Sequence, residues 1–190
     1  VYLTYHNTEK DDIGFLRGKI DTGWWDDFEW ITTDTTSCHD DFPKIAALHT
    51  SPADTITVWV VYNHSEPGEK SGNIDLRFAY STNSGVDWTK DLIIANSSLY
   101  DEMAADLKVY RSPTCIYVDL CYLKSTIKDP PQAFDVYYTW TYSVYPDQFQ
   151  TPHTKINDYP SYSSPDGREV CQLAFSIPSG DFPGIVYTGL

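Results

Sequence analysis

A chain of 190 residues, 41% of them hydrophobic, can bury one good core, which excludes general disorder and makes a single domain the starting expectation. A formal charge of −14 opposes phosphate backbones and anionic lipid, so nucleic-acid and simple membrane-surface binding are excluded as first readings. Aromatic residues make up 15%, and 12 prolines and 10 glycines are spread along the chain, a balance that favours strands and turns over helical bundles.

Taken in order, Val1–Asn7 reads as the second strand of a unit that has lost its first, and Ile13–Leu16 as the third strand. The turn Asp21-Thr22-Gly23-Trp24-Trp25 follows, with Phe28–Thr32 as a fourth strand. A full unit opens with an acidic lead, Asp40-Asp41, on a first strand running to Leu48. The turn Ser51–Asp54 leads to a second strand, Ile56–Tyr62, where Val58, Val60 and Tyr62 alternate with Thr57, Trp59 and Val61 as in a strand buried on both faces. Strands at Ile74–Tyr80 and Asp91–Ala95 complete it. The order recurs in Asp101–Tyr110, a Ser112-Pro113 turn, Cys115–Tyr122 and Phe134–Trp140, with Phe149 in the place that Trp88 holds one unit earlier. A last unit offers Val170–Phe175, a Pro178-Ser179-Gly180 turn and Gly184–Tyr187.

Four short antiparallel strands per repeating unit are the pattern of β-propeller blades, with an ordinary β-sandwich as the alternative. The expected fold class is therefore all-β: a propeller of four-stranded antiparallel blades, about three of them present. The boundaries fall at 1–37 (a partial blade), 38–98, 99–164 and 165–190 (a partial blade). The chain starts at Val1 with no signal peptide and no apolar run of about 18 residues, and reads as processed, truncated or excised.

Between the third and fourth strands of the full unit lies Ser81-Thr82-Asn83-Ser84-Gly85-Val86-Asp87-Trp88. Asn83 supplies a short side chain that bonds its own backbone, Gly85 tolerates positive φ, and Trp88 returns an apolar surface to the hairpin. The order Ser81-x-Asn83-x-Gly85-x-x-Trp88, with a partial echo at Asp21 and Gly23, resembles the Asp-box (BNR repeat) of sialidase-like β-propellers, with Asn where Asp is commoner. The resemblance implies blade architecture. In sialidases of that family it also implies an arginine cluster gripping the substrate carboxylate, a tyrosine nucleophile with a glutamate partner, and an aspartate acid/base. The arginines here are Arg17, Arg77, Arg111 and Arg168, and the family's Phe/Tyr-Arg-Ile-Pro signature is absent. An arc of about three blades leaves faces and edges open. Either missing blades of a longer chain or self-association of copies is expected to close the ring.

Acidic leads occupy the starts of three units: Cys38-His39-Asp40-Asp41, Tyr100-Asp101-Glu102 and Pro165-Asp166-Gly167-Arg168-Glu169. Together His39, Asp40, Asp41, Asp101, Glu102, Asp166, Arg168 and Glu169 form a candidate binding rim, in which crowded carboxylates would raise one pKa. The plainer alternative is a set of acids that cap strand starts or face solvent. No catalytic residue is assigned, because neither a Gly-x-Ser-x-Gly elbow nor a phosphate-binding glycine loop is present. His6, His39, His49, His64 and His153 show no paired ligand spacing, so no metal site is expected; the rim and Asp26-Asp27 leave calcium as the one cation to consider. Trp24, Trp25, Trp30, Trp59 and Trp140 suit either a sugar-stacking surface or a blade core.

Cys115 and Cys121, six apart in one strand, stand roughly 20 Å apart and cannot bond to each other without a sharp bend. A bridge from one of them to Cys171 and buried free thiols are both compatible with the pattern; Cys38 completes the set. Sequons at Asn63-His64-Ser65 and Asn96-Ser97-Ser98 are expected in loops. The functional expectation is a secreted or cell-surface module that recognises glycans or builds an assembly and is not catalytic on its own. The alternative is a fragment of a sialidase-like exo-glycosidase.

Overall fold

The computed structural model describes residues 1–26, 28–32, 38–49, 55–66, 74–111, 116–125, 133–142, 148–156, 161–162, 173–176 and 184–187. Among these the chain is all-β, and no helix is long and apolar enough to cross a membrane. The first sheet holds β1 (Tyr2–Asn7), β2 (Asp12–Lys19), β3 (Trp24–Trp25) and β4 (Glu29–Trp30), with β3 and β4 both paired to β2. The second is an up-and-down meander of β5 (His39–His49), β6 (Ile56–Ser65), β7 (Ile74–Ser81) and β8 (Thr89–Ala95). In the third, β9 (Glu102–Arg111), β10 (Ile116–Ser125) and β11 (Ala133–Tyr142) are followed by β12 (Thr154–Lys155) and β13 (Ser161–Tyr162), both on β11. β14 (Leu173–Ser176) and β15 (Gly184–Tyr187) form a hairpin. All pairings named here are antiparallel.

Strand direction matches the sequence repeat. The turn between β1 and β2 meets the start of β5, where the Asp40 N–H donates to the Asp11 carbonyl at 2.8 Å. At the other end, Arg17 near the close of β2 donates to the Ser84 carbonyl beyond the close of β7, at 3.1 Å. β1 therefore runs opposite to β5, as β6 does, and holds a second-strand place. Where one fourth strand was expected over Phe28–Thr32, the structure has two pieces. Trp25 pairs with Gly18 and Trp30 with Gly14, and the chain leaves the ladder between them.

The second sheet is buried on both faces. Val58, Val60, Tyr62 and Ala79 join Ile13, Phe15 and Ile31 of the first sheet in one apolar cluster. Trp59, Val61, Leu76 and Phe78 join Ala105, Leu107, Ile116, Val118, Leu120 and Tyr122 of the third in another. A strand with apolar residues at every position fits only such a middle layer, because its period-two alternation points side chains into both interfaces.

The turn from Ser81 to Trp88 is held by its own side chains. The Ser81 hydroxyl accepts from Gly85 N–H at 2.9 Å and donates to Asn83 Oδ1 at 2.9 Å, while Asn83 Oδ1 also accepts from Asp87 N–H at 2.9 Å. Trp88 Nε1 closes the turn on the Gly85 carbonyl at 3.2 Å. Gly85 has φ +83°, and a Cβ placed there would lie 2.5 Å from the ring of Phe15. Phe15 also meets Trp88 edge to face, with ring centroids 4.8 Å apart. Thus the turn of the second sheet receives an aromatic side chain of the first. The same contact recurs one sheet on, where Phe149 stands edge to face on Phe78 at 5.1 Å. At the partial echo, Gly23 has φ +63° but Thr22, not Asp21, accepts the Trp24 N–H.

One expectation about the sequons is corrected. Asn63 lies in β6 rather than a loop, 4% exposed, with its side chain bonded to Asp41 and to Ala104 N–H, so that sequon cannot accept a glycan. Asn96 lies exposed after β8 as expected. Cys121 is a buried free thiol, pushed up to about 12 first by burial and then by Asp106. Cys115 and Cys171 lie outside the described residues, as do the turns at Ser51–Asp54, Ser112-Pro113 and Pro178–Gly180.

On β10, Asp119 is 1% exposed and accepts a hydrogen bond from the Tyr138 hydroxyl at 2.9 Å. Burial pushes its carboxyl up to about 6 against the opposing effect of the tyrosine hydroxyls. An acid raised in the folded state holds its proton more tightly there than in the unfolded chain. Its contribution is therefore most favourable below the ordinary value of 3.8 and declines as pH rises through about 6. Denaturant titrations at pH 4 to 8 are expected to show Asp119→Asn gaining on the parent as pH rises, by up to about 3 kcal/mol at neutrality. Gly85→Ala is expected to lower stability by about 2–4 kcal/mol, combining positive φ with overpacking against Phe15. In the same denaturation series Gly23→Ala, which meets no atom within 4 Å, is expected to cost only the backbone share, about 1 kcal/mol.

Candidate functional site

The described members of the predicted rim, His39, Asp40, Asp41, Asp101 and Glu102, all lie at one end of the sheets, opposite the Ser81–Trp88 turn. Asp27, Asp166, Arg168 and Glu169 lie outside the described residues. Two features of the sequence build this end twice. Asp40 faces His64 across the β5–β6 ladder, and Glu102 faces Lys124 across the β9–β10 ladder. One residue beyond each acid the register slips, at Phe42 with φ +50° and at Ala104 with φ +51°. Such bulges bend the strand just past the two pairs.

The first pair is buried throughout, the second on its acid side. Asp40 and His64 are each 1% exposed, with Oδ1 and Nδ1 2.7 Å apart. Burial alone pulls His64 down, but the Asp40 hydrogen bond and charge outweigh it and leave the imidazole raised. Glu102, 1% exposed, is bonded to Lys124 Nζ at 2.8 Å and accepts from Ser97 N–H at 3.0 Å. Burial raises its carboxyl against the lowering effect of Lys124. Lys124 in turn lies 5.3 Å over Tyr100 and 5.9 Å over Tyr137. Asp101 acts on the backbone, accepting from Ile74 N–H at 3.1 Å while its own N–H donates to the Ser125 hydroxyl at 2.9 Å. Asp40, Asp101 and Glu102 thus bind partners on neighbouring strands.

His39 and Asp41 differ. His39 is half-exposed, with Nε2 3.2 Å from Asp41 Oδ2 and Nδ1 3.1 Å from Asp11 Oδ1. Asp41 is fixed from behind by Asn63 Nδ2 at 2.9 Å, and burial raises its carboxyl in spite of that bond. His6, at the end of β1, brings Nε2 to 3.5 Å from the same Asp11 oxygen. A second polar group lies nearby, where His64 Nε2 approaches Glu66 Oε1 at 3.4 Å and the Cys38 thiol approaches Glu66 Oε2 at 3.7 Å. Neither His6, Asp11 nor His64 belonged to the predicted rim. The signal for His64 was register: once Asp40 is paired with the far end of the second strand, His64 falls opposite it.

The described arginines do not converge. Arg17 is bound by Asp26 and the Ser84 carbonyl, Arg77 stands 3.6 Å from Glu66, and Arg111 donates to the His49 carbonyl. Other surface chemistry lies on the first sheet, on the face turned away from the second. The Trp25 ring lies against Gly18, where a Cβ would come within 2.7 Å of it, and the rings of Tyr5 and Phe28 close on Gly14 at 2.5–2.8 Å from such a Cβ. Leu3, Trp25 and Phe28 there are 39–48% exposed. Trp59, by contrast, is core at 1%.

Removing one partner of a buried pair leaves the other charged group without compensation. Asp40→Ala is expected to cost about 3–5 kcal/mol in chemical denaturation, whereas Asp87→Ala on the exposed turn is expected to cost about 1 kcal/mol. Comparison with family models, with curated proteins and with solved structures gives no match for this chain.

Proposed function

We propose that this chain is an extracellular, non-catalytic binding module of the Asp-box propeller type, and that it recognises uncharged glycans through the outward aromatic face of its first sheet. In this reading the three successive meanders are blades. The bonded Ser81–Trp88 turn and the aromatic docked on it support that assignment, because a turn that seats its neighbour is what stacks blades in order.

The observation that carries the functional reading is the pair of ring platforms over Gly18 and Gly14. A flat ring laid on a glycine keeps one face for the protein and offers the other to a ligand, and sugars present apolar C–H faces to such rings. The two glycines are four residues apart on one side of β2, so the platforms stand roughly 13 Å apart, which suits an extended oligosaccharide better than a single ring. The net charge of −14 favours uncharged sugars over sialylated ones. Against hydrolysis of sialosides stands the dispersal of Arg17, Arg77 and Arg111, each already engaged by a separate partner.

An array of neutral and sialylated glycans is expected to return neutral ligands, followed by titration calorimetry on the best of them. Trp25→Ala is expected to weaken binding about tenfold, the worth of roughly one aromatic contact. Trp24→Ala, on the other side of the same short strand, is expected to leave affinity unchanged. Equal affinity for parent and Trp25→Ala would sink the platform. Turnover of a fluorogenic sialoside lost in Arg168→Ala would return the hydrolase reading instead.

A further inference from the structure

The geometry points to a divalent transition-metal site, of the kind that takes Zn2+, formed by His6, Asp11 and His39 with Asp41 as its orienting carboxylate. The three ligand atoms (His6 Nε2, a carboxylate oxygen of Asp11, a ring nitrogen of His39) lie within 4.8 Å of one another. His39 Nδ1 is 3.1 Å and His6 Nε2 3.5 Å from Asp11 Oδ1. Ligands at about 2.0–2.1 Å from a tetrahedral Zn2+ stand roughly 3.3–3.4 Å apart, so the nitrogens already keep the separation from oxygen that a shared metal imposes.

Two further observations bear on the same point. His6 Nε2 is shielded from solvent and makes no hydrogen bond, although it faces Asp11. A buried imidazole nitrogen left this way is costly unless something else occupies its lone pair. His39 carries the arrangement that metal-bound histidines favour: Nε2 faces Asp41 Oδ2 at 3.2 Å, which places the proton there and turns the Nδ1 lone pair toward Asp11. Asn63 holds the other oxygen of Asp41, so the orienting group is itself fixed.

The chain builds the site from two sheets. Asn7 caps the β1–β2 turn by accepting from Glu9 and Lys10 N–H at 2.9 and 3.1 Å, and Asp11 follows at φ +57°. The Asp11 carbonyl then accepts from Asp40 N–H, which sets the turn beside His39. A bound ion would therefore clamp the first sheet to the second at the end opposite the Phe15–Trp88 contact, and three protein ligands leave one position open. Two nitrogen ligands fit Zn2+ and its neighbours rather than calcium, the cation left open by the sequence. The nearby Cys38, His64 and Glu66 also approach one another within 4.8 Å. There the Arg77 guanidinium, 3.6 Å from Glu66, opposes a cation.

Equilibrium dialysis of the chelator-stripped full chain against Zn2+, with Co2+ spectroscopy in parallel, tests the assignment. One bound ion is expected, with a Co2+ spectrum of nitrogen and oxygen ligands and no thiolate charge-transfer band. His6→Ala and His39→Ala are each expected to weaken Zn2+ at least tenfold, with Asp11→Asn as the variant least able to disturb folding. Asp41→Asn keeps every ligand and is expected to weaken binding about 10–100-fold while shifting the Co2+ band. Cys38→Ser is expected to change nothing. No uptake of Zn2+, uptake unchanged in the His6/His39 double variant, or loss of the ion in Cys38→Ser would each overturn the site.

Discussion

The stacking of the sheets depends on one aromatic contact, the Phe15 ring seated between Gly85 and Trp88. A meander of four strands has two apolar faces and cannot stand alone in water; each face must be matched by a neighbour at a fixed offset. Phe15 sets that offset. It belongs to the third-place strand of the first sheet and enters a notch in the second that exists only because residue 85 carries no side chain. Around it, Arg17 reaches the Ser84 carbonyl and Ile56 exchanges hydrogen bonds with Ser84, so the turn is tied to both sheets. Phe78 and Phe149 make a like edge-to-face contact between the second and third sheets.

At the opposite end it is neighbouring strands within the second and third sheets that are joined by charge. The pairs Asp40–His64 and Glu102–Lys124 occupy corresponding places beside corresponding bulges; Asp40, His64 and Glu102 are almost wholly buried, while Lys124 is partly exposed. Buried pairs of this kind contribute less net stability than their short distances suggest, since desolvation offsets much of the attraction. What they do fix is register: a slip of one residue in either ladder would strand a carboxylate in an apolar interior. Aromatic packing at one end and matched charge at the other leave the half-exposed His39 and the outward rings of the first sheet as the groups not committed to holding the fold.

Much of this was legible in the sequence. The run Val58–Tyr62 fits a strand covered on both sides, the Ser81–Trp88 spacing marks a hairpin, and Phe149 stands in sequence where Trp88 stands one unit earlier. The described rim residues fell at one end because β5 and β9 begin there. Their chemistry was not legible. Whether Asp40 faces solvent or a base depends on how that end of the ladder is buried, and the bulge just beyond it, a positive φ at Phe42, leaves no mark in composition or period. For the same reason Asn63 read as a loop sequon, when the strand in fact runs on to Ser65. The grouping of His6 with Asp11 and His39 was hidden more deeply, since it joins residues of separate sheets and needs the docking offset itself.

A double-mutant cycle on Phe15 and Trp88, each replaced by Leu singly and together, measures most directly whether this contact couples the sheets. The account predicts a coupling free energy of about 0.5–1.5 kcal/mol in equilibrium unfolding, the range for an edge-to-face aromatic pair beyond its buried area. Purely additive losses would mean that the two rings only fill space, and would contradict the view that this seat sets the position of one sheet on the next.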